Sequence, residues 1–153
     1  MPYEGAGGAL VRLVKSRGDL WRARQLGQRL AEATRNIEPP DAVIAIPTTP
    51  MRLRQRGFNF AEILARCVSK TLNVPYLHDG LVRKDQGVQA QRSPKERRAQ
   101  LSVRFECASD ALPRRVMVID DVHTSGGTLD AAAIALLNQC HHVSGVALAS
   151  RQL

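Results

Sequence analysis

The sequence predicts an α/β fold with a mainly parallel central sheet flanked by helices, and three observations carry that prediction. Short apolar runs at residues 42–46 (AVIAI), 116–119 (VMVI) and 143–148 (VSGVAL) read as buried strands. Between them lie segments with apolar residues at helical spacing, so strands and helices alternate, the pattern of a parallel sheet. Finally, residues 116–129 (VMVIDDVHTSGGTL) pass from an apolar strand through two adjacent carboxylates and a Thr/Ser/Gly turn into a helical pattern. Ligands bind at such strand ends in open α/β sheets.

Taken in order, Ala9, Leu10 and Val11 are interrupted by Arg12 and Lys15, which is too short and too charged for a signal peptide or membrane span. A cytoplasmic protein without membrane insertion is expected. Asp19 is placed to cap a helix to about Arg35, whose apolar stripe is Leu20, Ala23, Leu26, Leu30 and Ala33. Pro39 and Pro40 end that helical region, and the strand at 42–46 leads into Pro47-Thr48-Thr49-Pro50.

Asn59, with Glu62 three residues on, predicts a capping box for a helix to about Leu72 that buries Ala61, Leu64, Ala65, Val68 and Leu72. A short strand at 74–77 follows. Residues 84–92 are polar and aperiodic and contain glycine, which predicts a mobile loop; Ser93, Pro94 and Glu96 then open a helix. Strands at 103–107 and 116–119, turned by Pro113-Arg114, a helix from Thr128 to about Cys140, and a strand at 143–148 complete the reading.

A length of 153 residues matches one domain, residues 1–153, able to bury a core without staples. Cys67, Cys107 and Cys140 are odd in number and widely spaced, so they read as buried reduced thiols rather than a disulfide framework or zinc module. No zinc is expected. Lys and Arg number 22 against 14 Asp and Glu, and this excess favours anionic partners such as phosphosugars, nucleotides or nucleic acid. Aromatic residues make up only 4%, which argues against a stacking platform for single strands.

The acid-and-glycine segment carries the chemistry. Backbone N–H groups freed by Gly126 and Gly127, the positive end of the helix dipole, and the hydroxyls of Thr124, Ser125 and Thr128 can wrap a phosphate. Asp120 and Asp121 would repel that anion, so their partners are sugar hydroxyls or a hydrated divalent metal. A sugar phosphate lying across the strand end satisfies both demands. This block resembles the binding motif for 5-phosphoribosyl 1-pyrophosphate (PRPP) of type I phosphoribosyltransferases. The resemblance implies that fold, with the acid pair on the ribose hydroxyls and residues 124–128 on the 5′-phosphate.

A second, basic constellation follows the first strand: Arg52, Arg54, Arg56, Gly57, Phe58 and Asn59. Arginines there can hold a diphosphate in bidentate fashion, and Gly57 can admit its close approach. The Arg-Gly-Phe-Asn run, together with the acid motif, resembles the ComF family (competence-protein-F-like, also called GntX-like). Tyr3, Lys15 and Gly18-Asp19 look like the opening of that family's domain, and Gln89, Ser93, Glu96, Arg97 and Phe105 match its mobile-loop region. Phe60 departs from it, standing where Gln is usual, and the four-cysteine zinc module with which many relatives begin is not in this chain.

The resemblance implies two classes of function. One is a Mg²⁺-dependent phosphoribosyltransferase that releases pyrophosphate. In it Arg52, Arg54, Arg56 and Gly57 hold the leaving group, Lys84, Gln89 and Arg92 close over the site, and Mg²⁺ arrives with PRPP near Asp120 and Asp121 without an assigned protein ligand. The other is an accessory protein of competence and DNA uptake that binds PRPP or a nucleotide, and meets single-stranded DNA or a helicase. His123 reads as a spacer within the phosphate motif, and the His141-His142 pair as a complement to a helix C-terminus.

Overall fold

Val116, Met117, Val118 and Ile119 are all buried, which demands cover on both faces of their strand. The computed structural model, which describes residues 1–84, 104–124 and 126–151, places them in the middle of a parallel sheet. Strand β4 (Arg115–His123) lies between β1 (Ala42–Ala45) and β5 (His142–Ser150). The register runs Ala42↔Val116 to Ala45↔Ile119 on one side, and Arg115↔His142 to His123↔Ser150 on the other. At the far side of β1, Val43 forms an isolated parallel bridge with Tyr76. The strand expected at 74–77 is thus a single bridge, held by Val43 N–H to Pro75 O and Leu77 N–H to Val43 O, both 2.9 Å.

Two helices differ from expectation by being present at all. Helix α1 (Ala6–Arg17) buries Val11 and Val14, and Gly8 lets it pass against the Tyr3 carbonyl, where any Cβ would overlap the oxygen. Few large apolar residues mark its inner face, so its sequence carries a weak period. Helix α3 (Pro50–Arg56) is only 7 residues long and buries none of them; Thr49 caps it by accepting from Arg52 N–H at 3.2 Å.

Helix α2 (Leu20–Thr34) begins as expected, with the Asp19 carboxylate accepting from Arg22 N–H at 2.9 Å. Its buried face is Ala23, Leu26, Gly27, Leu30, Ala31 and Thr34, whereas Leu20 and Ala33 are exposed. At about 100° per residue, position 34 returns to the direction of position 23 while position 33 lies to the side. Thr34 is buried because its hydroxyl donates to Ala31 O at 2.7 Å.

Helix α4 (Phe60–Leu72) packs on α2 through a close approach at Gly27, where an added Cβ would stand 2.7 Å from Cys67 Sγ. Its buried residues are Phe60, Ala61, Leu64, Ala65, Val68 and Ser69, and Leu72 is half-buried. The expected capping box does not form. Asn59 instead donates through Nδ2 to Ile46 O at 3.0 Å, and Glu62 pairs with Arg66 at 2.9 Å. Asn59 thereby fastens the start of α4 to the exit of β1.

Strands β2 (Leu81–Lys84) and β3 (Arg104–Cys107) form a separate antiparallel pair, from Leu81↔Cys107 to Lys84↔Arg104. This corrects the assignment of Lys84 to a mobile loop: it ends β2 and its Nζ lies 2.7 Å from Glu106 Oε2. Alternation across the pleat puts Leu81 inward and leaves Val82 exposed, a pattern that four residues beside a polar stretch do not reveal in sequence. Gln89, Arg92, the helix start at Ser93, Pro94 and Glu96, and also Arg97, lie outside the described residues.

Helix α5 (Gly127–Leu136) starts one residue earlier than expected and stops four short of Cys140. His141 therefore follows a turn and His142 opens β5, with both backbone N–H groups on Arg114 O at 2.9 Å, and neither is at a helix end. All three cysteines are free; Cys140 is buried and Cys67 and Cys107 are partly so. Among the described residues no helix is long and apolar enough to cross a membrane.

Candidate phosphosugar site

Strand β4 outruns β1. Pairing with β1 ends at Ala45↔Ile119, with a last bond from Ile46 N–H to Ile119 O of 2.9 Å, while β5 accompanies β4 to His123. The two aspartates thus do not terminate the strand, as the sequence suggested, because β5 keeps residues 120–123 extended. They occupy the overhang where one edge of β4 has lost its neighbour. The chain leaving β1 passes through Pro47 to Pro50 into α3 at the carboxyl end of the parallel sheet, the end at which open α/β sheets bind ligands.

Different devices hold the two carboxylates. Asp120 is buried and its Oδ1 accepts from Asp121 N–H at 2.7 Å; Asp121 Oδ2 lies 2.8 Å from Lys15 Nζ, which projects from α1. Burial, and then the neighbouring charge of Asp121, push the Asp120 carboxyl up to about 6, against the smaller opposing effects of the Asp121 N–H, Lys15 and His123.

That rise has a consequence for stability. The folded chain keeps the Asp120 proton to about pH 6, whereas the unfolded chain releases it near pH 4, so stability falls as pH rises through that window. Asp120→Asn removes the buried charge and is expected to stabilise the fold by roughly 1–3 kcal/mol at pH 7.5 and by almost nothing at pH 4. Thermal melts at the two pH values check it; equal shifts at both would refute the buried-charge account.

The expected phosphate segment follows directly. Gly126 takes the left-handed conformation, φ 82°, at the N-cap of α5, and Gly127 is the first helical residue. A side chain at Gly126 would be strained and also crowded, 3.1 Å from Asp130 Oδ2 and 3.4 Å from His123 Nε2. Thr124 is exposed and Thr128 half-buried beside this turn; Ser125 lies outside the described residues. Asp130, an acidic residue in the first turn, is a member of this neighbourhood that the motif reading passed over, although its position near a helix N-terminus is itself a signal.

The basic constellation lies on α3. Arg52 and Arg54 are exposed and Arg56 is half-buried. A helix places Arg52 and Arg56, four apart, on one face and Arg54 about 200° round from Arg52. Gly57 is left-handed, φ 77°, and its N–H donates to Leu53 O at 2.8 Å. Ending the helix is by itself sufficient reason for this glycine. Gly18, which ends α1, stands against the end of α3, since its Cβ would lie 3.9 Å from Arg56 O. The carboxyl ends of α1 and α3 thus meet, and α1 is the helix that carries Lys15.

Two carboxylates, one already engaged by a lysine, are too few donors to enclose a divalent ion. Mg²⁺ is commonly completed by water and by the phosphate oxygens of a ligand, and the pair fits an ion brought in that way. Among the described residues no group of three or more His, Cys, Asp or Glu side chains is placed to hold a metal.

No family model matches the chain. In sequence it is 33% identical over 132 residues to "Competence protein F" of Haemophilus influenzae, covering 79% of this chain and 57% of that protein. It is 29% identical to "DNA utilization protein YhgH" of Escherichia coli O157:H7, covering 70% of this chain and 48% of the relative. Among solved structures, the purine phosphoribosyltransferase of Pyrococcus horikoshii superposes with a TM-score of 0.53 at 20% identity, over 85% of this chain and 73% of that one. The chain is similar in sequence to competence protein F and has the phosphoribosyltransferase fold. It spans about half the length of the curated relatives it matches. The β4 overhang and the turn into α5 are consecutive in the chain.

Proposed function

We propose that this chain binds PRPP at the β4 overhang and transfers its phosphoribosyl group with release of pyrophosphate. One observation carries the reading: Asp120 and Asp121 stand where β4 loses β1, a few residues before the left-handed Gly126 that opens α5. Hydroxyl acceptors are thereby set a few residues from an anion-favouring helix start, the separation of functions a ribose 5-phosphate requires. The acid pair accepts from the 2′- and 3′-hydroxyls, and residues 124–128 donate to the 5′-phosphate. Mg²⁺ accompanies the diphosphate and supplies charge neutralisation for the leaving group, while the chain's own residues bind and orient the sugar. The test is pyrophosphate release from PRPP across a panel of nucleobases. Release with at least one base supports transfer, and PRPP binding with no release across the panel removes it.

Arg52 and Arg56 share a face of α3, and on this reading they grip the diphosphate together. Arg52→Ala with Arg56→Ala is expected to weaken pyrophosphate and PRPP about tenfold or more while leaving ribose 5-phosphate within about twofold. Arg54→Ala alone should change pyrophosphate binding little. Calorimetry with the three ligands decides, and equal losses for all would indicate a general defect.

The names of the relatives and the formal charge of +8 favour a second reading, an accessory protein in DNA handling whose basic surface meets single strands. Fluorescence titration of a labelled oligonucleotide at two salt concentrations separates the readings. Affinity that falls with a log–log slope of about −0.7 per neutralised phosphate, without pyrophosphate release, supports it, and no binding at low salt removes it for this chain.

A further inference from the structure

Lys15 stands 106 positions before its partner, yet its ammonium lies 2.8 Å from Asp121 Oδ2 at the overhang. Both side chains are about 20% exposed, so this is neither a solvated surface pair nor a sealed one. Half-buried ion pairs return little net stability once desolvation and the ordering of a long lysine are counted. The main consequence of the pair therefore lies in what it does to Asp121. Two adjacent carboxylates, one of them buried, repel each other, and Asp121 lacks the internal anchor that Asp120 has in the Asp121 N–H. Lys15 supplies an anchor through one carboxylate oxygen, and among the described residues the other oxygen of Asp121 is left as an acceptor. It also lowers the net charge of the pair from two to one. The backbone makes this placement firm: Val11 and Val14 bury α1 in the core, and left-handed Gly18 ends the helix against α3.

We propose that Lys15 is a positioning residue of the sugar side of the site, its ion pair with Asp121 holding that carboxylate ready to accept a ribose hydroxyl. The proposal rests on the phosphosugar reading of the acid pair. It assigns to α1, which carries none of the phosphate or arginine motifs, one wall of the ligand site.

Calorimetry on the full chain with ribose 5-phosphate and with inorganic pyrophosphate, for wild type, Lys15→Met and Lys15→Arg, tests it. Lys15→Met is expected to weaken ribose 5-phosphate about tenfold and to leave pyrophosphate within about twofold, while Lys15→Arg recovers most of the loss. Retained pyrophosphate binding shows that the Met variant is folded. Unchanged ribose 5-phosphate affinity in Lys15→Met, or an equal loss for both ligands, overturns the role of Lys15 and leaves the phosphosugar reading standing. If wild type binds neither ribose 5-phosphate nor PRPP, the phosphosugar reading fails, and the role of Lys15 fails with it.

Discussion

Replacing Asp120 and Asp121 together by Asn is expected to lower PRPP affinity at least about 100-fold, because two charge-assisted hydrogen bonds of roughly 1.5–3 kcal/mol each are weakened at once. Asn keeps the size of each side chain and one carbonyl oxygen, so the Asp121 N–H still finds an acceptor at position 120. The burial that pushes the Asp120 carboxyl up to about 6 also makes the substitution tolerable, since a neutral amide relieves the folded state of that charge. Asp120→Asn alone should therefore melt no lower than wild type near neutral pH, and the double variant, which also frees Lys15 from its ion pair, should remain folded while losing its ligand. Isothermal titration with PRPP and Mg²⁺, read beside a thermal melt, checks both halves. Unchanged affinity would remove the assignment of the acid pair to the sugar.

Leu64→Ala is expected to destabilise the chain by about 3 kcal/mol, within the roughly 2–5 kcal/mol seen when a fully buried leucine is truncated. Leu64 has no exposed surface, and it sits on α4, which packs against both α2 and the β1–β4 layer. Collapse around the gap is limited because α2 and α4 are already in close approach at Gly27 and Cys67. Denaturant unfolding measures the change as a lower midpoint with the slope retained. A loss below about 1 kcal/mol would mean that the α2–α4 layer repacks freely. Ligand affinity extrapolated to the folded fraction should stay near wild type, since α4 carries none of the proposed contacts.

Local signals made much of the architecture legible. The three apolar runs became β1, β4 and β5, Asp19 capped α2, and Leu64, Ala65 and Val68 face inward on α4. Each depends on nearest neighbours along the chain, either a period or a cap. Where those signals are faint, elements are not legible: α1 fully buries only Val11 and Val14 among its large residues, and the 7-residue α3 buries none. Asn59 shows the opposite failure. Its spacing to Glu62 satisfies a capping box, but the Ile46 carbonyl, 13 residues back, competes for its side chain and wins.

By itself the sequence determined which groups meet at the candidate site through adjacency: the carboxylate pair, the Thr/Ser/Gly turn and the helix that follows are contiguous, so any fold that extends one and coils the other brings them together. Tertiary structure decided what no local pattern encodes. It set where β1 stops along β4, and so which residues overhang. It turned three arginines into a short helix with Arg54 on the far side from Arg52 and Arg56. It also brought Lys15 to Asp121 across 106 positions. The physical reason is range. Periods, caps and left-handed glycines act over a few residues, whereas a strand's free edge, a buried carboxylate and an ion pair between α1 and β4 exist only once distant segments pack and exclude water between them.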